Sequence, residues 1–453
     1  MKKLVTLLAA AGMVVASTAP ASAADVKLDG FYRFTFQSDS TGFKGENHGV
    51  AEQRMRLGMT ITASENLSGY TQFQIGTYDW GTSRKHGEYD VQSRQYYIDW
   101  QVPAAPVKVR MGRQALGLPA DAFGGNNVLG AGWGPRDGIV VTANATDWLD
   151  VTALWARQAS DRGDDVAQND TLDVFGLAAN LKFNGFSVAP WAAYASMGED
   201  LLGAAGKYSK NSVWDTNYNF DNDKYESDSY YFGATATLTA FDPFKLVVSA
   251  AYGERQYGDT TGADVDDRKG WSAEAKASYK LGFGTPVLGA WYASGDDADD
   301  QQGAGHLPGI NPYTTPTNTY FDGGTSLAIG DVDRYTTLGT WGVMVGLEDL
   351  SFLPGLTHAV TATWIQGTNN VEAAKANLAK GKDALAAHQY MSTSDSVVEL
   401  ALTTDYKIYK NLTACLELAY IINNFDEDLY AAVTPEQNGE DDWRAHLTFT
   451  YKF

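Results

Sequence analysis

Cysteine is all but missing from this chain. Cys415 is the only one in 453 residues, so an intrachain disulfide is impossible and a structural zinc site is not expected. Histidine is nearly as scarce, with six scattered residues and no HExxH or similar spacing. Neither a metal nor a cofactor is therefore expected. Beyond the first residues there is no run of about 18 apolar residues, which excludes a chain that crosses a membrane as helices. Bases are the minority charge, 34 against 55 acids for a net charge of −21. That sign disfavours nucleic acid as a partner.

The one apolar run, Leu4 to Val15, follows Lys2 and Lys3 and leads into Ala21-Ser22-Ala23. This is the order of a secretory signal peptide, residues 1–23, cleaved after Ala23. Without Lys2 and Lys3 the mature chain carries 32 bases against 55 acids, or −23. Its acids gather in GDDADDQQ (Gly295 to Gln302), DNDKYESD (Asp221 to Asp228), DVDD (Asp264 to Asp267) and DED (Asp426 to Asp428). The segments between carry few, as expected for loops standing in water above an apolar band.

Those segments alternate in character with a period of two. In the last one, Trp443 to Phe453, residues Trp443, Ala445, Leu447, Phe449, Tyr451 and Phe453 share one face, and Arg444, His446, Thr448, Thr450 and Lys452 the other. The greasy face carries rings at both ends, which suits a strand crossing a thin apolar slab. A chain that ends this way resembles bacterial outer-membrane barrels, and the resemblance makes Tyr451 and Phe453 a terminal signal read by the barrel-assembly machinery. Near the start, Met55, Leu57, Met59, Ile61 and Ala63 oppose Arg54, Arg56, Thr60 and Thr62. An arginine facing lipid near the midplane costs roughly 2–4 kcal/mol, so these arginines must face the lumen.

Repetition of this pattern, with turn signals such as Asn184-Gly185 between segments, predicts one all-β domain over residues 24–453. Its fold class is a transmembrane antiparallel up-and-down β-barrel of about 18 strands, with 16 as the alternative, short turns on one side and long loops on the other. The stretches Ile329 to Leu338 and the Gly-rich segment before Ile139 are the two places where a strand is in doubt. One connection, residues 371–388, is rich in Ala, Lys and Leu and reads as a helix in an extracellular loop, weakened at Gly381.

The connection 114–137, QALGLPADAFGGNNVLGAGWGPRD, has a different composition from the acidic loops. Its only charges are Asp121, Arg136 and Asp137, among glycines and apolar residues. A long loop of that kind is expected to pack, and the available interior is the lumen. RMGRQALG (Arg110 to Gly117) followed by ADAFGG (Ala120 to Gly125) resembles the fifth strand and inward-folded third loop of trimeric bacterial outer-membrane porins. Over the mature chain the likeness is greatest to the homotrimeric porins of sulfate-reducing bacteria.

The resemblance implies a water-filled outer-membrane channel for passive diffusion of small hydrophilic solutes and ions. It places Arg33, Arg54, Arg56, Lys108 and Arg110 on the lumen wall, opposite the loop that bears Asp121, as the pore constriction. It implies further that the chain is a homotrimer joined at the early strands, sits among the lipid and lipopolysaccharide of a Gram-negative outer membrane, and catalyses no reaction. Alternatives remain open. One alternative pairs the bases with lumen acids such as Glu274, Glu399 or Glu417; Arg94 and Arg113 have outward parity and are left out as rim or bulge residues. Asp296, Asp297, Asp299 and Asp300 read as a solvated acidic loop before a divalent-cation site. Phe31, Tyr70, Tyr97 and Tyr231 could line a sugar path in a substrate-specific channel, and His358 and His446 are the only strand histidines available to an outer-membrane enzyme. A basic wall and acidic outer loops point in opposite directions on ion preference, and the balance of the sequence favours no strong selectivity.

Overall fold

The computed structural model describes residues 25–41, 46–81, 91–131, 134–160, 171–198, 226–258, 267–300, 303–310, 312–318, 320, 337–379, 390–430 and 441–453. The expected signal peptide lies outside them. Every alternating segment becomes a strand. The first nine are β1 Asp25–Thr41, β2 Glu46–Ser64, β3 Leu67–Asp79, β4 Val91–Gln101, β5 Val107–Gln114, β6 Arg136–Thr146, β7 Leu149–Ser160, β8 Thr171–Phe183 and β9 Phe186–Met197. The second nine are β10 Ser227–Leu238, β11 Phe244–Tyr257, β12 Arg268–Tyr279, β13 Thr285–Ala293, β14 Thr340–Leu353, β15 Leu356–Gly367, β16 Ser396–Lys407, β17 Leu412–Asn424 and β18 Asp442–Lys452.

Each strand pairs antiparallel with its sequence neighbours, and β1 pairs with β18 as well as β2, so the 18-stranded sheet closes. Closure satisfies the backbone N–H and C=O groups inside lipid, where an open edge would leave a row of them bare. The alternative of 16 strands is set aside, because the described strands alone number 18 and close the sheet. Arg136 to Gly138 join β6, and β14 begins at Thr340, downstream of the stretch in doubt, most of which lies outside the described residues.

The two faces follow the sequence parity. At the seam Tyr32 pairs with Tyr451 and Phe36 with Leu447, all exposed to the outside, whereas Thr35 pairs with Thr448 inside. Their hydroxyls lie 3.1 Å apart. Parity breaks at a bulge between β3 and β4, where Gln72 pairs with Gln95 and Phe73 with Ser93, leaving Arg94 as the extra residue.

Helix is sparse. Val371–Leu378 forms α1, whose N-cap Asn370 accepts a bond from the Glu372 N–H. Such a cap satisfies one of the donors that a helix start leaves orphaned. Residues 380–388 of the expected helix, Gly381 included, lie outside the described residues. A second turn, α2, spans Glu427–Tyr430.

Among the described residues two buried apolar clusters form, one around Trp291, Ile365 and Ile421, the other along β7–β9. Leu154 and Ala156 on β7, Leu172 and Val174 on β8, and Trp191 and Ala193 on β9 are all buried. Against them pack Leu116, Leu118, Val128 and Leu129 from the connection after β5, together with Leu307 and Ile310 from the connection after β13. Burying an aliphatic side chain stabilises by roughly 1.5–3 kcal/mol, so this sector is the seat that draws both connections into the lumen.

Candidate pore constriction

The connection from Leu116 to Gly130 crosses the lumen and is held at both ends of its tip. Asn126 organises the return path. Its Oδ1 accepts the N–H groups of Val128 and Leu129, both at 2.9 Å, and its Nδ2 donates to the Pro119 carbonyl at 2.8 Å. Asp121 organises the turn itself, with Oδ1 accepting from the N–H of Phe123 at 3.0 Å and of Gly125 at 2.9 Å. The tip then bonds to the wall. The Ala122 N–H donates to Ser249 Oγ on β11 at 3.0 Å, Thr235 Oγ1 on β10 donates to the Ala120 carbonyl at 2.8 Å, and Asn127 Nδ2 donates to Glu274 Oε1 on β12 at 2.7 Å. Phe123 meets Trp291 of β13 edge to face at 5.9 Å.

A second segment folds in beside the first. Asn126 and Tyr313 form an antiparallel bridge, with N–H to carbonyl distances of 2.6 and 3.0 Å, and the Ile310 N–H donates to the Val128 carbonyl at 2.8 Å. Farther along, the N–H groups of Asn318 and Tyr320 donate to the two oxygens of Glu399 on β16, at 2.8 and 2.6 Å. Residues 303–320 therefore span from the first loop to the β16 wall. The sequence reading missed this segment. The cue was GINPYTTPTNTY, a stretch with no charge in it.

Ring order fixes what faces the loop. In a closed ring of 18 strands β10 and β11 stand nine places from β1 and β2, so the anchorage on β10 and β11, which continues on β12 and β13, lies across the ring from β1 and β2. There Arg33 pairs directly with Arg54, and Phe31 with Arg56. The guanidinium carbons of Arg33 and Arg56 sit 5.0 and 5.4 Å from the centre of the Phe31 ring, a cation–π arrangement that keeps both on the lumen side. Arg54 is oriented by Thr77, which Nε reaches at 3.0 Å, and Arg56 by Gln74 Oε1 at 2.8 Å. The charges that act most strongly on Arg56 are those of Arg94, Arg54 and Arg33. The bulge has thus carried Arg94 into the group from which sequence parity had left it out. Lys108 and Arg110 are not part of this cluster. Arg110 forms a two-pronged pair with Asp99 at 2.6 and 2.7 Å, Lys108 reaches the same carboxylate at 2.9 Å, and Arg110 lies 4.0 Å over the Tyr97 ring.

Residues 7–304 match the family model described as Gram-negative porin. The chain belongs to that family. A comparison with curated proteins finds no match. Among solved structures the porin is similar to Pseudomonas aeruginosa OccK9 (OpdG), at 14% identity and a TM-score of 0.55, covering 95% of this chain and 98% of that one. Acinetobacter baumannii OccAB2 gives 14% and 0.54 with coverage of 95% and 98%, and P. aeruginosa OccK2 (OpdF), solved in complex with glucuronate, gives 13% and 0.53 with the same coverage. At such identities the likeness shows the fold, a closed 18-stranded barrel. Family and fold together make the chain an outer-membrane channel for small solutes.

Three expectations about acids need correction in this porin. Asp121 does not stand in the lumen as the negative side of the neck: one oxygen caps its own turn, and the other is buried in the face that meets Glu274. The turn needs an acceptor there, and packing against the wall removes the carboxylate from the channel. Glu274 and Glu399 take on another task, each anchoring an inward segment, while Glu417 acts on Arg33. Asp296 is not solvated, being 1% exposed and accepting the N–H of Gly305 at 2.9 Å as well as that of Gly303 and the Tyr390 hydroxyl, while Asp297 and Asp299 do face water. Of the aromatics, Tyr70 and Tyr97 meet at 5.3 Å with their rings tilted by 34°, but Tyr231 is fully buried and lines no path. The two histidines expected on strands have structural partners, His358 with Thr404 Oγ1 at 2.9 Å and His446 with Arg444 at 2.6 Å; they are not the only strand histidines, because β2 extends far enough to take in His48.

Proposed function

We propose that this porin is a diffusion channel that favours anions, with its neck between the inward loop and the wall bearing Arg33, Arg54, Arg56 and Arg94. The observation that carries the reading is the one-sidedness of the charge: the guanidinium groups gather on β1, β2 and β4, and the only acid of the opposing loop tip is turned into the wall. A transverse field therefore gives way to a net positive lining, which raises the local concentration of anions. Lys108 and Arg110, which leave one positive charge beyond Asp99, form a second basic station on the same side. This replaces the expectation of no strong selectivity.

The test is the reversal potential across a planar bilayer in a salt gradient. Wild type should reverse on the anion side, and Arg54→Ala with Arg56→Ala should move the reversal toward cations, by a larger amount at 0.01 M salt, where the screening length is about 30 Å, than at 1 M, where it is about 3 Å. Unchanged selectivity would remove both residues from the neck.

A second reading has its own support. Arg33 and Arg56 over Phe31, and Arg110 over Tyr97, offer a guanidinium beside a ring face, a combination suited to a solute that carries a carboxylate on an apolar or sugar ring; OccK2 was solved in complex with glucuronate. Saturable block of the salt current by such a solute distinguishes a substrate-specific channel from a general one.

The narrower family likeness leads to further proposals. We place the chain among homotrimeric porins of the kind found in sulfate-reducing bacteria, on the strength of RMGRQALG and ADAFGG. The early strands form the contact between copies, as the family likeness implies. A leader ending at Ala23 directs export, and Tyr451 and Phe453 present the assembly signal to the barrel-assembly machinery. The outer band then meets membrane lipid and lipopolysaccharide. Chemical cross-linking in mild detergent should give dimer and trimer bands in succession; a lone monomer band would overturn the trimer.

A further inference from the structure

We propose that Asp121 and Glu274 form a proton-sharing latch that seats the constriction loop on its wall, so that the neck loosens as the medium turns alkaline. The two side chains line one cavity of about 10 Å³, with Asn126, Asn127, Ser249 and Ser272 among its other walls. A space of that size holds at most a single water. Every element around it supplies neutral groups apart from these two: Thr235 from β10, Ser249 from β11, Trp191 from β9, and Thr314 from the second inward segment. Among the described residues no lysine, arginine or histidine lines the cavity.

The hydrogen bonds leave little room for two negative charges. Glu274 Oε1 is taken by Asn127 Nδ2 at 2.7 Å, and Ser249 Oγ, which accepts from the Ala122 N–H, stands 3.5 Å from Glu274 Oε2. Asp121 Oδ1 accepts two backbone N–H groups of its own turn, while Oδ2 is buried, with the Glu274 carboxyl and the Thr314 hydroxyl beside the Asp121 carboxyl. Two carboxyl groups that share a dry site without a cation hold one proton between them, because both cannot ionise together at low cost. The proton turns repulsion into an O–H···O bond from wall to loop. Burial holds the Asp121 carboxyl above the usual carboxylate range, against the opposing effect of the Gly125 and Phe123 N–H groups. The sign follows: a raised value in the seated state means that protonation stabilises seating at lower pH, and that this stabilisation is lost as pH rises through the raised value. The two charges then push apart beside the Ala122–Ser249 bond at the loop tip.

Single-channel recording from about pH 5 to about pH 10 tests this. The wild-type porin should give a quiet open current at the acid end and open-channel noise several-fold greater at the alkaline end. Glu274→Gln should stay quiet throughout, since an amide donates to Asp121 permanently. Asp121→Asn should do the same, because its Oδ1 still caps the turn and its Nδ2 donates to Glu274. Wild-type noise independent of pH, or either variant keeping the wild-type profile in a barrel shown to be folded by heat-modifiable gel mobility, would overturn the latch. The measurement reads loop motion and not the sign of the reversal potential, so failure of the arginine reading leaves this one standing, and the reverse.

Discussion

Replacing Gly125 by valine should open the neck. The single-channel conductance is expected to rise at least about twofold and the current to become noisy, because the loop loses its seat beside the second inward segment. A Cβ at Gly125 would overlap the carbonyl of Tyr313 and crowd the Cα of Thr314. Those are backbone atoms, so no change of rotamer relieves the clash. The bridge between Asn126 and Tyr313, with bonds of 2.6 and 3.0 Å, must separate. Each such bond is worth about 0.5–1.5 kcal/mol net, and the larger loss is the packing of Val128, Leu129, Leu307 and Ile310, all within 1% of full burial. The seam strands lie elsewhere, so the variant should still assemble and shift on heating in gels. Wild-type conductance from a folded Gly125→Val channel would show that the loop and its neighbour do not set the bore.

The expected widening shows which parts of the neck could be read from the sequence. The loop 114–137 was legible because its composition contradicts its length: a water-exposed connection resembles the acidic clusters, and this one carries glycine and apolar side chains instead. The wall arginines were legible because a period of two assigns each side chain to lipid or lumen, and lipid refuses arginine. Arg94 was not, since a bulge adds one residue to one strand and reverses the parity beyond it, and nothing in QSRQYY announces that. Asp121 was placed in the right loop with the wrong task. The spacing to Gly124 and Gly125 is that of a turn whose first side chain accepts from the backbone two and four residues on, and charge counting alone passes over it.

The strand count survived for a related reason. Each of the 18 strands repeats one local rule, so an error at one edge does not spread to the next. What no local rule carries is contact across the lumen. Glu399 belongs by parity to the wall, yet its role, receiving the N–H groups of Asn318 and Tyr320, depends on a segment about 80 residues upstream in sequence. The second inward segment is held by just such contacts and was therefore invisible until the barrel was closed.

Closure itself makes the other large effect. Deleting Phe453 should cut the yield of heat-modifiable, folded barrel by roughly tenfold, the factor that a loss of about 1.4 kcal/mol produces if the seam limits assembly. Its backbone makes both halves of an exchange with Gly30, each bond 3.1 Å long, and these are the last rungs between the first strand and the last. Its ring meets Tyr32 at 5.8 Å and Tyr451 at 6.2 Å, and Tyr32 also meets Tyr451 at 6.4 Å, so three rings brace the seam where it leaves the apolar band. Replacement by tryptophan or tyrosine keeps a flat ring at the interface and should retain most of the yield, whereas serine should behave like the deletion. The pair of outcomes separates two roles of the same residue. If purified, denatured chain refolds into detergent equally well with and without Phe453, the seam does not need the ring, and any loss seen in cells belongs to recognition by the assembly machinery; a matching loss in both settings assigns it to the β1–β18 contact.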